Sequence, residues 1–200
     1  GVVVHLPDYR RAPEHVYPAA LQDGLAAWQG LLADGWRPEQ IVLGGDSAGC
    51  TLILAMAIAL RDTSQALPAG LLMLSPFLDL TLSLPSVRSH ARRDPMLTAH
   101  VLKRGGDSYR GQLAADDERV SPLLAPLHAL PATLVQAGSE EILVDDARRF
   151  DTLARAAGVA VRCEIHDGMW HNFQMFHALV KQAGVALDNA GAFLRQQLPG

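Results

Sequence analysis

The residue whose surroundings most clearly suggest chemistry is Ser47. It lies in Leu43-Gly44-Gly45-Asp46-Ser47-Ala48-Gly49, between the apolar run Ile41-Val42-Leu43 and a long apolar segment. A serine at a strand-to-helix bend takes strained backbone angles, and small neighbours, here Gly45 and Gly49, leave room for the chain to pass. A hydroxyl presented in this way is a nucleophile for acyl transfer once a base takes its proton. The same turn sets the backbone N–H of Ala48 at a helix N-terminus, where a free donor and the positive end of the helix dipole can meet a developing oxyanion.

The base has to come from the eight histidines. His5 starts a strand, His15 sits in a proline loop, His90, His100 and His128 fall in or just after a loosely patterned stretch, and His177 belongs to the last helix. His166 and His171 remain, both after the final predicted strand. Ligands gather at the carboxyl ends of strands in an open α/β sheet. His171, in the loop Gly168-Met169-Trp170-His171-Asn172-Phe173, can swing over that edge, whereas His166 is still at the strand end. His171 is the expected base; its plainer role would be to cap the final helix. His166, His171 and His177 match no usual metal-ligand spacing, so no metal site is expected.

An acid is needed to fix the tautomer of the base and offset its charge. Glu140, Glu141, Asp145 and Asp146 follow the predicted strand 132–137. Asp145 and Asp146 fall in the first turn of a helix, where the dipole favours negative charge in any case. Glu140 and Glu141 stand at the strand tip, and spacing alone does not choose between them.

The elements that must position these groups alternate. Strands are predicted at 2–5, 41–45, 71–75, 132–137 and 159–165, and helices from Pro18 to Gly35, 48–61, 144–157 and 173–198. The pattern loosens over about 82–118, which reads as a cap-like excursion with Asp94-Pro95 as a helix start. The segment Cys50 to Leu60 is apolar on every side, so it is a helix buried all round and too short for a bilayer. Regular alternation predicts a mostly parallel sheet with helices on both faces, in a single domain spanning 1–200.

Composition narrows the function classes. The chain has 200 residues, is 49% hydrophobic and carries a net charge of −4, which suits one globular core. Charges are scattered with no basic stripe, so nucleic acid is not an expected partner. No stretch is long and apolar enough for a membrane span, no signal peptide is visible, and the expected location is cytoplasmic. Cys50 and Cys163 read as inert core thiols.

Several motifs in one order resemble the bacterial hormone-sensitive-lipase-like (family IV) esterases of the α/β-hydrolase superfamily. Asp8-Tyr9-Arg10-Arg11-Ala12-Pro13-Glu14-His15 with Pro18-Ala19-Ala20-Leu21 resembles that family's DYRLAPEH…PAAL, with Arg11 in place of leucine. Gly45-Asp46-Ser47-Ala48-Gly49 matches its GDSAG turn, with Cys50 where a further glycine is common. Ser75-Pro76-Phe77-Leu78-Asp79, Asp94-Pro95-Met96-Leu97, Ser121-Pro122-Leu123 and Leu130-Pro131 fall in the family's order. The chain order serine, acid, histidine is also that of this architecture.

The resemblance implies an α/β-hydrolase fold and a serine carboxylesterase acting on short-chain acyl esters through an acyl-enzyme. Laying Leu143, Asp145 and Asp146 on the family's D-P-L-x-D-[DE] puts Glu141 at the place of the catalytic aspartate, with Glu140 the alternative. The HGF after the base is His171-Asn172-Phe173 here. The implied site is Ser47, Glu141 and His171, with Ala48 as oxyanion donor and Asp46, Phe77, Met96 and Trp170 beside the substrate. No cofactor or metal is implied. The expected partner is a small-molecule ester, with a homodimer as a further expectation. The family's upstream His-Gly-Gly motif is absent from these residues, and the first strands of the sheet and part of the cap are expected to be missing with it. Loss of one oxyanion donor typically costs about 10²- to 10³-fold in turnover. An impaired fragment, a hydrolase-fold binding protein, or an amidase or lactonase on the same triad are the alternatives.

Overall fold

A computed structural model describes residues 2–198. Its centre is a sheet of four parallel strands in the order β1-β2-β3-β4: Val42–Asp46, Gly70–Leu74, Thr133–Gly138 and Val161–His166. Alternate residues along each strand face opposite sides. Leu71, Met73, Val135 and Ala137 meet Cys50, Ile53, Leu54 and Ala57 of α2 (Ala48–Asp62) and Ala147, Phe150 and Ala154 of α5 (Val144–Ala156). On the opposite face Leu134 packs with Ala190 and Phe193 of α6 (Lys181–Gln197). Both faces of the sheet are therefore covered, and the strand tips carrying residues 46, 74, 138 and 166 lie together at the carboxyl edge.

Helix α1 (Ala19–Ala33) lies on α2 through Trp28, Met56 and Leu60. Gly24 permits this crossing, since a Cβ there would stand 2.6 Å from Met56 Sδ. The excursion forms the short α3 (Ser86–Ser89) and α4 (Ala99–Arg110). Val87 and Leu102 from these helices pack with Phe77, Leu80, Val120, Ile142 and Leu143, so the excursion rests on the segments leaving β2 and β3. No described helix is long and apolar enough to cross a membrane.

Three expectations are corrected. Residues 2–5 form no strand, and Val2, Val3 and Val4 are exposed: their backbone finds no pairing partner, because β1 is bonded only to β2 among the described residues. Helix α4 begins at Ala99 with the Thr98 side chain as its cap, not at Asp94-Pro95. Asp94 instead uses Oδ1 to accept from the N–H groups of Met96 and Leu97 and Oδ2 to accept from Ile142, which makes it a buried clamp. The terminal helix does not run through from 173. A 3₁₀ turn at Phe173–Phe176 precedes α6, and Leu179 between them is 86% exposed.

Candidate active site

Ser47 stands between β1 and α2 at φ 51° and ψ −119°, a conformation seldom adopted by a residue with a Cβ. Three backbone bonds hold it there. Its N–H donates to Leu74 O, and its C=O accepts from Cys50 and Phe77 N–H. Gly45 has the close approach the turn requires, since a Cβ on it would lie 2.6 Å from the carbonyl atoms of Gly49. Gly49 is different. A Cβ there would meet nothing within 4 Å, so only its backbone is needed at the bend.

Behind the serine, α2 is fixed by Thr51 Oγ1 donating to Phe77 O and by the Cys50 thiol pointing at Gly45 O, 3.1 Å away. Burial pushes the Cys50 thiol well above its usual range, which keeps it protonated. Cys163 is also a free thiol, half-buried on β4. Ala48 opens α2, so the intrahelical ladder gives its N–H no acceptor.

His171 is placed by the tip of β3. A Cβ on Gly138 would stand 2.2 Å from Met169 O, so the loop before His171 lies directly on that glycine, and Glu140 N donates to Met169 O at 2.9 Å. The His171 ring is buried, with Nδ1 3.5 Å from Glu141 Oε2, and Glu141 is fully buried. At that separation the pair is within ion-pair range and longer than a strong hydrogen bond, a spacing common before substrate binds. Burial pushes the Glu141 carboxyl up, opposed by His171 and by the Ser75 hydroxyl. Ser75, itself at φ 47°, accepts from Asn172 N–H at 2.9 Å, so its hydroxyl fixes the histidine loop, while neither Glu141 oxygen has a hydrogen-bond partner among the described residues. Glu140 turns outward to a two-pronged pair with Arg93 at 2.6 and 2.7 Å.

Asn172 takes the left-handed conformation at φ 52°, which glycine and asparagine tolerate best. Its Nδ2 donates to Asp46 Oδ2 at 2.7 Å. This bond links the neighbours of Ser47 and His171, bringing the two residues to one rim through residues 46 and 172 rather than by a bond between themselves. Asp46 thus braces the turn. His166 is held elsewhere, its ring tilted against Phe173 at 4.9 Å between centroids and its Nε2 3.4 Å from Glu164.

A cavity of about 350 Å³ opens at Ser47 and Ala48, bordered also by Phe77, Thr51 and Leu52, by Leu97, Val101 and Leu102 of the excursion, and by Tyr9, Arg11 and His15 of the first loop. Asp46, expected beside the substrate, does not border it, while Phe77 is on its wall. Met96 and Trp170 are not: Met96 is exposed, and Trp170 packs with Met169, Phe173 and Val180 and edge-on to Phe176. Sequence reasoning passed over His15, Ser75, Gly138 and α4. Nothing in the spacing marks Ser75 or Gly138, whose importance arises from contacts 97 and 31 residues away along the chain. Asp146 is more than a dipole partner, because it is buried and accepts from Leu78 and Asp79 N–H at 2.7 and 3.0 Å.

Comparison with known proteins gives the family. A family model described as alpha/beta hydrolase fold matches residues 1–175. The chain is 42% identical to an esterase of Acinetobacter venetianus over 96% of its own length and 63% of that protein. It is 39% identical to an acetyl-hydrolase of Streptomyces hygroscopicus, over 98% of the chain and 65% of that protein. A solved esterase from the bacterial hormone-sensitive lipase family superposes with a TM-score of 0.93 at 40% identity, covering 96% of this chain and 65% of the other. Another solved relative, the protein EstE5 with crystals soaked in p-nitrophenyl butyrate, gives 0.91 at 37%, over 95% and 64%. The chain therefore spans just under two thirds of the relatives it matches. With the matched residues covering most of its length, the chain belongs to the alpha/beta hydrolase fold family, in its hormone-sensitive-lipase-like branch.

Proposed function

We propose that this chain carries the reacting groups of a serine carboxylesterase for short-chain acyl esters. His171 takes the proton of Ser47 as the hydroxyl oxygen attacks the ester carbonyl. It returns that proton to the departing alcohol, leaving an acyl group on Ser47. A water molecule, deprotonated by the same imidazole, then attacks the acyl carbon and releases the acid. Glu141 orients the ring through Nδ1 and offsets its charge, and Ala48 N–H donates to the oxyanion.

The observation that carries this reading is the strained serine itself: Ser47 at φ 51° opens onto an apolar cavity, one hydrogen bond away from the loop that lays His171 over a buried carboxylate. The cavity's size, near the small end for ligand sites, suits a short acyl ester. The esterase and acetyl-hydrolase relatives and the neighbour soaked with p-nitrophenyl butyrate support the same substrate class. Turnover of p-nitrophenyl butyrate should fall by about 10⁴-fold or more in Ser47→Ala, as removal of a serine nucleophile does elsewhere. Turnover retained by that variant would contradict the proposal.

A further inference from the structure

The cavity at Ser47 has two unlike walls. One is apolar, formed by Leu80, Leu97, Val101 and Leu102. The other comes from the first loop, where Arg10, Arg11 and His15 border the same space, and no carboxylate among the described residues borders it. Arg10 is already matched: its guanidinium and its N–H both bind Asp23, at 2.7 to 3.1 Å. Arg11 is not matched by any side chain among the described residues. His15 N–H donates to Arg11 O at 3.0 Å, and this single turn puts both side chains on the same border. Asp8, Arg11, Glu14 and His15 are all exposed on the loop, and of these only Arg11 and His15 border the cavity.

A cationic guanidinium with free donors at one end of an apolar cleft recognises a carboxylate, which it can grip through two parallel N–H bonds. We propose that Arg11, assisted by His15, selects esters that carry a carboxylate at the far end of a short apolar chain, that is, monoesters of dicarboxylic acids. The apolar wall takes the methylenes, Ser47 faces the ester carbonyl, and Arg11 takes the acid. This rests on the esterase reading of the same cavity and adds the substrate class.

The test separates the two. In the Ser47→Ala variant of the full chain no acyl transfer interferes, so binding is measured directly by calorimetry with monomethyl adipate and with methyl hexanoate. The adipate monoester should bind about 2- to 5-fold more tightly, since Arg11 is exposed and solvent screens an exposed ion pair. Adding Arg11→Leu should erase that preference, Arg11→Lys should keep part of it, and added salt should shrink it. Equal affinity for the two esters, no binding of the adipate monoester, or a preference unchanged by Arg11→Leu would overturn the inference. Failure of the unmutated protein to hydrolyse p-nitrophenyl butyrate would instead strike the esterase reading, and the binding result would still stand or fall by itself.

Discussion

At Ser47, Gly45 and Gly49 the same residue type does two different jobs. Gly45 is needed for its missing Cβ, because the chain folds back to 2.6 Å from where that atom would be. Gly49 has open space around its Cβ position and already lies in α2, so alanine there should be neutral or stabilise by up to about 1 kcal/mol. Gly45→Ala should cost about 1–3 kcal/mol and most of the proposed esterase activity, since the clash is against backbone that must move with Ser47. Urea unfolding together with p-nitrophenyl butyrate turnover checks both. The pattern G-x-S-x-G was legible in sequence, but which glycine matters sterically was not, because that depends on where the helix returns. The two glutamates tell a similar story. Glu140 and Glu141 are equivalent by spacing, and only the fold sends one out to Arg93 and the other in beneath His171.

The elements with strong periodicity were readable: four parallel strands, the buried α2 and the amphipathic α5 follow from alternation and apolar runs alone. What failed was decided by tertiary partners. Residues 2–5 have strand composition and no strand beside them, and the 173–198 periodicity hides a break where Trp170 and Phe173 pack under the loop. Asp146 on α5 shows how elements are joined at the site, since its carboxylate gathers the N–H groups of Leu78 and Asp79 just after Ser75. Complete burial pushes its pKa up from 3.8 to about 8. The folded state therefore holds a proton that the unfolded chain gives up near pH 4, and this group lowers stability as pH rises from about 4 through about 8. Asp146→Asn keeps an oxygen for both N–H groups and removes the titration. Its stability relative to the unmutated chain should accordingly improve between pH 5 and pH 9. Asp146→Ala, which leaves two buried donors unpaired, should cost about 1–3 kcal/mol for each at every pH. Urea midpoints at the two pH values decide, and a relative stability of Asp146→Asn that falls with pH would contradict the assignment.

At the scale of the whole molecule, the site is assembled from segments that are remote in sequence: the turn after β1, the tip of β3, the loop after β4, the excursion and the first loop. Each contributes only a few residues, and the sheet register aligns the starting points of the segments that leave the strands. Sequence motifs singled out Ser47, Glu141 and His171, the reacting groups proposed above, while the brace Asp46–Asn172, the Ser75 hydroxyl and the basic border of the cavity emerge only from the assembled fold. These groups all come from a chain that matches relatives over about 65% of their length. Everything proposed for them depends on His171 activating Ser47 under the guidance of Glu141. A reactive alkyl fluorophosphonate, followed by peptide mass spectrometry and by its rate of reaction, tests that claim most directly. One phosphonyl group per chain should appear on Ser47, at a rate lowered about 10²- to 10⁴-fold in His171→Ala, the usual contribution of a general base. Labelling at another residue, or an unchanged rate on Ser47 without the imidazole, would contradict it.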